Sequence, residues 1–222
     1  MSRSSEPGVR SRPLRICHVM TADLWAGAEV QLATTASFLA ERPDVRVSAV
    51  LFNDGPLAQA LRRLGIDVTI VDEARLGAAR IVMLLTGFLA ERQIDLVHTH
   101  RYKDTVLGTI AAKLAGVPHV IRTVHGLREP MTGWDQLKFR GYELLDHAIL
   151  RCFADRVIAV SQRMADSLSD SGYAPPMLTR IHNGTDLRRV VVRRAPGDLK
   201  RELGLAPETI VIGTVGRLAA VK

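Results

Sequence analysis

Short runs of β-branched and other apolar residues alternate with longer segments of helical period along most of the chain. Seven of the short runs predict buried strands: Leu14 to Met20, Val45 to Phe52, Val68 to Val71, Leu96 to His98, Val120 to Val124, Val157 to Val160 and Leu178 to Ile181. Strands that alternate with helices are joined by right-handed crossovers into a parallel sheet covered on both faces. We therefore predict an α/β fold, a Rossmann-like parallel sheet of about seven strands with helices on both faces.

The longer segments between these runs predict helices: Glu29 to Ala40, Pro56 to Leu64, Ala79 to Arg92, Asp104 to Leu114, Trp134 to Phe153 and Gln162 to Ser171. Several of their boundaries have a chemical cause. Pro56 suits the first turn of a helix, and Ser161 can accept a hydrogen bond from the first turn that follows it. Gly65 and Gly116 suit the position just after a helix C-terminus. Local chemistry and the apolar pattern therefore agree on these boundaries.

The pattern changes after Ile181. Asn183-Gly184 predicts a turn, and the segment from Asp186 to Arg201 is basic, with no apolar period. Thr209 to Val215 predicts one more buried strand. We expect four parts along the chain: a polar, disordered arm at 1–13, a Rossmann-like domain at 14–185, a basic linker at 186–208 and the truncated start of a second domain at 209–222.

The chain has 222 residues and a formal net charge of +7, which by itself would suggest a nucleic-acid-binding protein. The charge is unevenly distributed. Residues 1–15 hold four arginines and one glutamate, and residues 186–201 hold six basic and two acidic side chains, so the remainder is balanced. The predicted sheet domain therefore offers no net basic field to a phosphate backbone, and we expect no nucleic-acid partner.

Cysteine content and hydropathy bear on the compartment. Two cysteines, Cys17 and Cys152, make no disulfide framework and are typical of a reducing cytosol. The longest apolar run, Ile81 to Ala90, is about half the length that a membrane helix needs, and no secretory signal is visible. We therefore expect a cytoplasmic protein, soluble or in peripheral contact with the inner membrane face.

Candidate chemistry lies at the carboxyl ends of the predicted strands, because ligands of open parallel sheets bind there. The first such loop contains Gly27 ahead of a predicted helix N-terminus, whose free N–H groups suit a phosphate or a hydroxyl-rich ligand. The three spaced glycines of a dinucleotide fingerprint are absent, as are a Gly-x-Ser-x-Gly elbow and a phosphate-loop motif. These absences disfavour nicotinamide or flavin enzymes, serine hydrolases and phosphate-loop NTPases.

Three histidines follow the fourth and fifth predicted strands. His98 and His100 lie two residues apart, so in an extended segment they share one face and line the crevice. The two could ligate a metal only with a third ligand, and a hydrogen bond to the neighbouring loop is the alternative interpretation. His125 stands next to Gly126 at the mouth of the fifth strand. A neutral, titratable imidazole there is the best candidate for a catalytic group, with a loop histidine bonded to backbone as the alternative.

Seven short segments stand out in these loops: Trp25-Ala26-Gly27-Ala28-Glu29, Asp95-Leu96-Val97-His98-Thr99-His100, Ala115-Gly116-Val117-Pro118, Thr123-Val124-His125-Gly126, Ala159-Val160-Ser161, Ile181-His182-Asn183-Gly184-Thr185-Asp186 and Gly213-Thr214-Val215-Gly216-Arg217-Leu218. In order and approximate spacing they resemble glycosyltransferase family 4, over roughly residues 14–222. The resemblance implies a GT-B architecture, in which two Rossmann-like domains face each other across a cleft. It makes residues 14–185 the acceptor domain and residues 209–222 the truncated start of the donor-binding domain. It also implies transfer of a sugar from a nucleotide donor with retention of anomeric configuration and without a metal.

The same resemblance implies roles for individual residues. His125 would contact the donor sugar near the reacting centre, and Gly27 would let backbone approach the donor phosphate or the acceptor. Arg217 and Lys222 match the basic pair that neutralises the departing diphosphate, where fixed cations stabilise charge as it develops. The nucleotide sugar is a substrate in this family, so we expect no cofactor and no metal.

The chain departs from the family pattern in two places. Ala26-Gly27 stands where a Gly pair is usual, and the family's two-glutamate motif would lie downstream of Lys222. We therefore expect these residues alone to transfer no sugar. The resemblance implies an acceptor that is a glycan or lipid-linked, in polysaccharide or lipopolysaccharide biosynthesis. The basic arm and the segment from Asp186 to Arg201 could contact an anionic membrane, and the alternative is that both are simply solvated. Two alternatives stay open, a sugar-nucleotide 2-epimerase of GT-B architecture and a non-catalytic module that binds a glycan or a partner.

Overall fold

The computed structural model describes residues 12–22, 24–126 and 145–214 of the chain. Seven strands form its sheet: β1 (Leu14–Met20), β2 (Val45–Leu51), β3 (Asp67–Ile70), β4 (Leu96–Thr99), β5 (His119–Val124), β6 (Arg156–Ala159) and β7 (Leu178–Arg180). Their order across the sheet is β3-β2-β1-β4-β5-β6-β7, and every neighbouring pair is parallel. The predicted Rossmann-like parallel sheet is therefore confirmed.

Helices connect the strands: α1 (Gly27–Ala40), α2 (Pro56–Arg63), α3 (Ala78–Glu91), α4 (Tyr102–Leu114), α5 (described over 145–153), α6 (Gln162–Asp170) and, beyond β7, α7 (Asp198–Glu202). The prediction of a helix from Trp134 lies outside the described residues as far as residue 144. Within the described part of the chain, no helix combines the length and the apolar character that a membrane crossing requires.

Helices α1 and α4 both begin two residues before their predicted starts. In each, the third residue is acidic and its carboxylate reaches back to the preceding backbone. Glu29 accepts from the N–H of Ala26, and Asp104 accepts from the N–H of Arg101. An acid in this position satisfies N–H groups that a helix start leaves unpaired, so the helix extends backwards to include it.

Other predicted helix boundaries agree with the structure. Pro56 is the first residue of α2, and the Ser161 hydroxyl accepts from the N–H of Met164 at the start of α6. Gly65 and Gly116 follow α2 and α4 with φ of 72° and 70°, the left-handed conformation that glycine adopts at least cost.

The sheet is covered on both faces, as the sequence predicts. Cys17 of β1 belongs to a buried cluster with residues of α3 and α4, including Leu85 and Leu107. Met20, whose side chain is on the other face of the same strand, packs with α1 and α2 through Leu32 and Leu57. A third cluster joins β5 and β6 to α5 and α6. These apolar clusters hold the carboxyl ends of the strands in fixed positions relative to the helices.

The described residues divide into two compact units, with the boundary between Gly184 and Thr185. In the second unit, the prediction of a buried strand from Thr209 to Val215 is wrong over residues 209–214. These residues form no strand, and the side chains of Ile210 and Ile212 are 87% and 93% exposed. A strand needs a neighbour to pair its backbone groups, and residues 209–214 have none within the described ranges.

Candidate functional site

Four histidines meet where three neighbouring strands end. His18 lies in β1, His98 in β4, His100 just after β4 and His125 just after β5. The sheet register pairs His18 with His98, and the ring centroids of His98 and His100 are 4.3 Å apart. The predicted shared face of His98 and His100 is therefore present, with His125 beside it. The sequence analysis did not single out His18, which lies within the predicted strand from Leu14 to Met20.

Three of these imidazoles form a continuous hydrogen-bonded chain. Nδ1 of His18 is 3.1 Å from Nε2 of His100, and Nδ1 of His100 is 3.0 Å from Nε2 of His125. We refer to His18, His100 and His125 as the histidine chain. His98 stands beside it, with its Nε2 2.8 Å from the hydroxyl oxygen of Thr123.

Burial keeps all four imidazoles neutral near pH 7. It lowers the pKa of His18 from 6.5 to about 4 and holds the pKa of His98 and His100 well below their usual value. Burial, helped by the cations of Arg101 and Arg122, lowers the pKa of His125 to about 4 as well. Each ring therefore carries one N–H and one lone pair, so it both donates and accepts.

The same cluster contains a third imidazole, that of His18, which could join His98 and His100 as a metal ligand. One ring nitrogen from each of His18, His98 and His100 lies within 4.8 Å of the others. Neutral imidazoles are common ligands of zinc and other transition metals. In the structure, however, Nδ1 of His18 and Nε2 of His100 are bonded to each other. An ion that used those two nitrogens would have to displace that hydrogen bond.

A pocket of about 120 Å³ lies between α1 and the carboxyl half of the sheet. His98, His100 and His125 all line it. The remaining lining comes from α1, the ends of β5 and β6, and the segment after β7: Gln31, Leu32, Thr35, Thr123, Ile158, Val160, Ile181, His182 and Asn183. The three predicted histidines thus share one cavity. Most of that cavity's surface is apolar, which strengthens the few polar contacts a ligand could make there.

Gly27 is the first residue of α1 but is not among the described residues that line this pocket. A Cβ added to Gly27 would meet no described atom within 4 Å, so the packing of the fold does not demand a glycine here. Nearby, the fully buried Glu29 pairs with Arg101, which joins the N-terminus of α1 to that of α4. Open space before a helix N-terminus is compatible with the approach of a ligand.

Asp104 anchors the backbone of the histidine chain. Its Oδ2 accepts from the N–H groups of His100 and Arg101 at 2.9 and 2.8 Å. Burial raises the pKa of this carboxyl from 3.8 to about 6, although the backbone hydrogen bonds act in the opposite direction. From the sequence, Asp104 is predicted only as the start of a helix. Its contact with His100 depends on the loop conformation after β4.

The other face of β5 carries a buried ion pair. Arg122 pairs with Asp146 of α5, and its guanidinium carbon is 4.7 Å from the ring centroid of Tyr102. Both charged side chains are almost completely buried. Sequence reasoning missed this pair because α5 and β5 are distant along the chain. Arg217 and Lys222, the predicted diphosphate ligands, lie outside the described residues.

Comparison with known proteins gives relatives for this chain. In sequence, it is 30% identical over 212 residues to a UDP-Gal:alpha-D-GlcNAc-diphosphoundecaprenol alpha-1,3-galactosyltransferase of Escherichia coli, covering 92% of this chain and 54% of the relative. It is 31% identical over 136 residues to a D-inositol 3-phosphate glycosyltransferase of Actinosynnema mirum, covering 58% of this chain and 31% of the relative. The chain thus spans about half the length, or less, of these curated relatives.

In structure, the fold matches Anabaena HepE in complex with UDP with a TM-score of 0.68 at 21% identity, over 86% of this chain and 50% of HepE. It also matches a UDP-N-acetylglucosamine 2-epimerase with a TM-score of 0.55 at 20% identity, over 75% of this chain and 47% of the epimerase. At these identities the two likenesses concern the fold alone. The family itself is shown by the model of Glycosyltransferase Family 4, which matches residues 25–189. His98, His100 and His125 lie within the matched region. The chain belongs to glycosyltransferase family 4.

Proposed function

We propose that the protein transfers a sugar from a nucleotide-sugar donor to a glycan or lipid-linked acceptor, and that His125 contacts the donor sugar near the reacting centre. The observation that carries the proposal is the family match over residues 25–189, together with the position of His125 in the pocket at the carboxyl edge of the sheet. Ligands of open parallel sheets bind at this edge.

The electrostatics of His125 suit a sugar better than a phosphate. Because its pKa is lowered to about 4, the imidazole is neutral at pH 7 and offers hydrogen bonds rather than a positive charge. A hydroxyl group both donates and accepts, so it can pair with Nδ1 of His125, the ring nitrogen that is not bonded to His100, in either protonation form of that nitrogen. His98 and His100 complete the same wall of the pocket and are also neutral.

The acceptor side of the proposal rests on the Escherichia coli relative. That protein's name specifies a GlcNAc-diphosphoundecaprenol acceptor, which supports a lipid-linked acceptor here and a place in polysaccharide or lipopolysaccharide biosynthesis. Such an acceptor requires the protein to work at a membrane surface from the cytoplasm. The basic segment at 186–201 would favour an anionic surface by about 1 kcal/mol for each nearby cation.

The donor side of the proposal concerns the end of the sequence. We expect Arg217 and Lys222 to neutralise the departing diphosphate, in a transfer that retains anomeric configuration and uses neither a metal nor a cofactor. Matched relatives are about twice as long as this chain. We expect the 222 residues alone to transfer no sugar.

A transfer assay on the protein from the complete gene tests the proposal, with UDP-galactose as donor and a polyprenyl-diphosphate-linked N-acetylglucosamine as acceptor. We expect His125→Ala to lower kcat/KM on the order of 100-fold, since it removes a contact to the reacting sugar. His119→Ala, at an exposed histidine of β5, is the matched control and should leave kcat/KM unchanged. Full activity of His125→Ala would contradict the role of His125. Formation of a 2-epimer from UDP-N-acetylglucosamine without acceptor would instead indicate the epimerase alternative.

A further inference from the structure

The two ends of the histidine chain have no hydrogen-bond partner. Nε2 of His18 and Nδ1 of His125 are both buried, and neither bonds to any atom of the described residues. The two remaining nitrogens of His18 and His125, and both nitrogens of His100, are used inside the chain. The unpaired positions are therefore the two outermost nitrogens of one hydrogen-bonded unit.

Proton counting allows only two arrangements for this unit. Three neutral imidazoles carry three N–H groups, and the two internal N–H···N bonds use two of them. In the first arrangement, His125 donates to His100 and His100 donates to His18. The third N–H is then on Nε2 of His18, and His125 has a bare Nδ1. In the second arrangement, His18 donates to His100 and His100 donates to His125. The third N–H is then on Nδ1 of His125, and His18 has a bare Nε2. The tautomer of His125 is thus coupled to that of His18 through His100.

The surroundings of the two ends favour the second arrangement. Both end nitrogens are buried, but the ring of His18 is enclosed in the centre of the sheet, whereas the ring of His125 is partly exposed and lines the pocket. An unpaired N–H group in a protein interior is rarer than an unpaired acceptor, and only the His125 end adjoins a space that could hold an acceptor, so the enclosed end is better left as a lone pair. We propose that His18 and His100 are positioning residues that hold His125 in its Nδ1–H form.

Neighbouring contacts restrain the rings that this proposal requires to stay fixed. His98 stacks near both buried members, with ring centroids 4.9 Å from His18 and 4.3 Å from His100, and its own Nε2 is bonded to Thr123. Asp104 holds the backbone N–H of His100 at 2.9 Å. With the planes and the backbone restrained, proton position is the main freedom left to the chain.

The consequence for binding is a defined donor. Nε2 of His125 is bonded to His100, so Nδ1 is the one ring nitrogen that the histidine chain leaves unused, and it carries a proton. This nitrogen is buried in the structure, so a ligand that bonds to it must first displace the groups that cover it. His125 would then donate to an acceptor oxygen, such as a sugar hydroxyl. The identity of this ligand rests on the proposed function, whereas the tautomer of His125 does not.

Nuclear magnetic resonance of the 222-residue chain, with ¹⁵N in the histidine rings, tests the tautomer directly. Long-range ¹H–¹⁵N correlations distinguish a protonated from a bare ring nitrogen. At pH 7 we expect His18, His100 and His125 to share one pattern, with Nδ1 protonated and Nε2 bare. Single histidine substitutions assign the signals. A protonated Nε2 on His125, or an equal mixture of its two forms, would overturn the proposal.

Two substitutions at His100 separate positioning from mere structural support. In His100→Asn the amide lies near the former Nδ1 and can still donate to His125, whereas in His100→Gln it lies near the former Nε2 and meets His18 instead. We expect His100→Asn to keep His125 in the Nδ1–H form. We expect His100→Gln to lower the ratio of Nδ1–H to Nε2–H about fivefold, the value of one ordinary hydrogen bond. His119→Asn and His119→Gln are the matched controls at an exposed histidine. Equal effects of the two His100 variants would contradict a positioning role.

A transfer assay on the protein from the complete gene then separates this proposal from the proposed function. We expect His100→Gln to lower kcat/KM by the same fivefold factor, and His100→Asn to leave it near the wild-type value. If the tautomer shifts as expected but kcat/KM does not, His18 and His100 position His125 and the proposed contact with the sugar is wrong. If kcat/KM falls while the tautomer of His125 is unchanged, the positioning proposal is wrong.

Discussion

The two faces of β5 bury polar groups in different ways. On the α1 face, Thr123 and His125 join neutral imidazoles that bond to one another. On the opposite face, Arg122 is buried with a charged partner, Asp146, beneath the ring of Tyr102. A buried charge must keep its partner, because losing it leaves an uncompensated ion in a medium of low dielectric constant. A neutral imidazole can exchange donor for acceptor without any change in charge.

This difference suggests a structural role for the face that carries the ion pair and a ligand-responsive role for the face that carries the histidine chain. The ion pair is fixed by its own energetics and serves to hold α5 against the sheet. The histidine chain can respond to a ligand by moving protons between its nitrogens. Four variants or conditions test this contrast, beginning with the largest expected effect.

Removing the cation on the charged face should have the largest effect on stability. We expect Arg122→Met to lower the free energy of unfolding by about 3–5 kcal/mol, because the buried Asp146 carboxylate loses its cation. Urea unfolding measures the change, with Arg46→Met at an exposed arginine of β2 as the matched control. The double variant Arg122→Met/Asp146→Leu should recover most of the loss. A loss below 1 kcal/mol in the single variant would contradict the contrast between the faces.

Acid should destabilise the protein by protonating the buried, neutral imidazole of His18. The folded pKa of His18 is about 4 against an ordinary value of 6.5, so the folded state binds its proton less readily than the unfolded state. The stability from a lowered histidine pKa is complete above pH 6.5 and is lost as the pH falls towards 4. Between pH 7 and pH 4 the free energy of unfolding should fall in both proteins, and we expect the fall to be about 3 kcal/mol smaller in His18→Leu than in the wild type.

Equal pH dependence of wild type and His18→Leu in urea unfolding would show that His18 is not buried as a neutral group.

Asp104 should contribute a smaller effect of opposite sign. Its folded pKa is raised from 3.8 to about 6, so the stability it contributes is present below pH 3.8 and is lost as the pH rises through 6. Asp104→Asn removes this titration while an amide oxygen can still accept from His100 and Arg101. From pH 4 to pH 7 we expect the free energy of unfolding of the wild type to fall by about 1–3 kcal/mol relative to that of Asp104→Asn. Asp170→Asn, at the exposed end of α6, should show no such shift.

The helix that covers the charged face gives the smallest expected effect. Ser161 accepts from the N–H of Met164 at 3.2 Å, and Met164 lines a pocket that also contains Arg122. We expect Ser161→Ala to lower the free energy of unfolding by about 1 kcal/mol and leave the histidine signals unchanged. Urea unfolding and histidine NMR together check both parts. A change in the tautomer of His125 would show that the two faces are coupled.

Much of the fold could be predicted because its causes are local. The apolar period places all seven strands, and Pro56, Gly65 and Ser161 mark helix boundaries through their own backbone or hydroxyl chemistry. The wrong prediction of a strand at residues 209–214 also has a local cause. Residues 209–214 have an apolar strand pattern but no partner within the described ranges, since an apolar pattern cannot supply a neighbouring backbone.

The candidate site divides in the same way. The sequence by itself determined that His98 and His100 share a face, because strand alternation is a property of two residues in one segment. It also placed His125 at the end of the next strand. Only the tertiary structure brought His18 into line with them, since the strand order sets β1 beside β4 across about 80 residues of chain. The pairing of Arg122 with Asp146 and the neutrality of the histidines likewise depend on packing. Both result from burial, and these side chains are buried only once the helices cover the sheet.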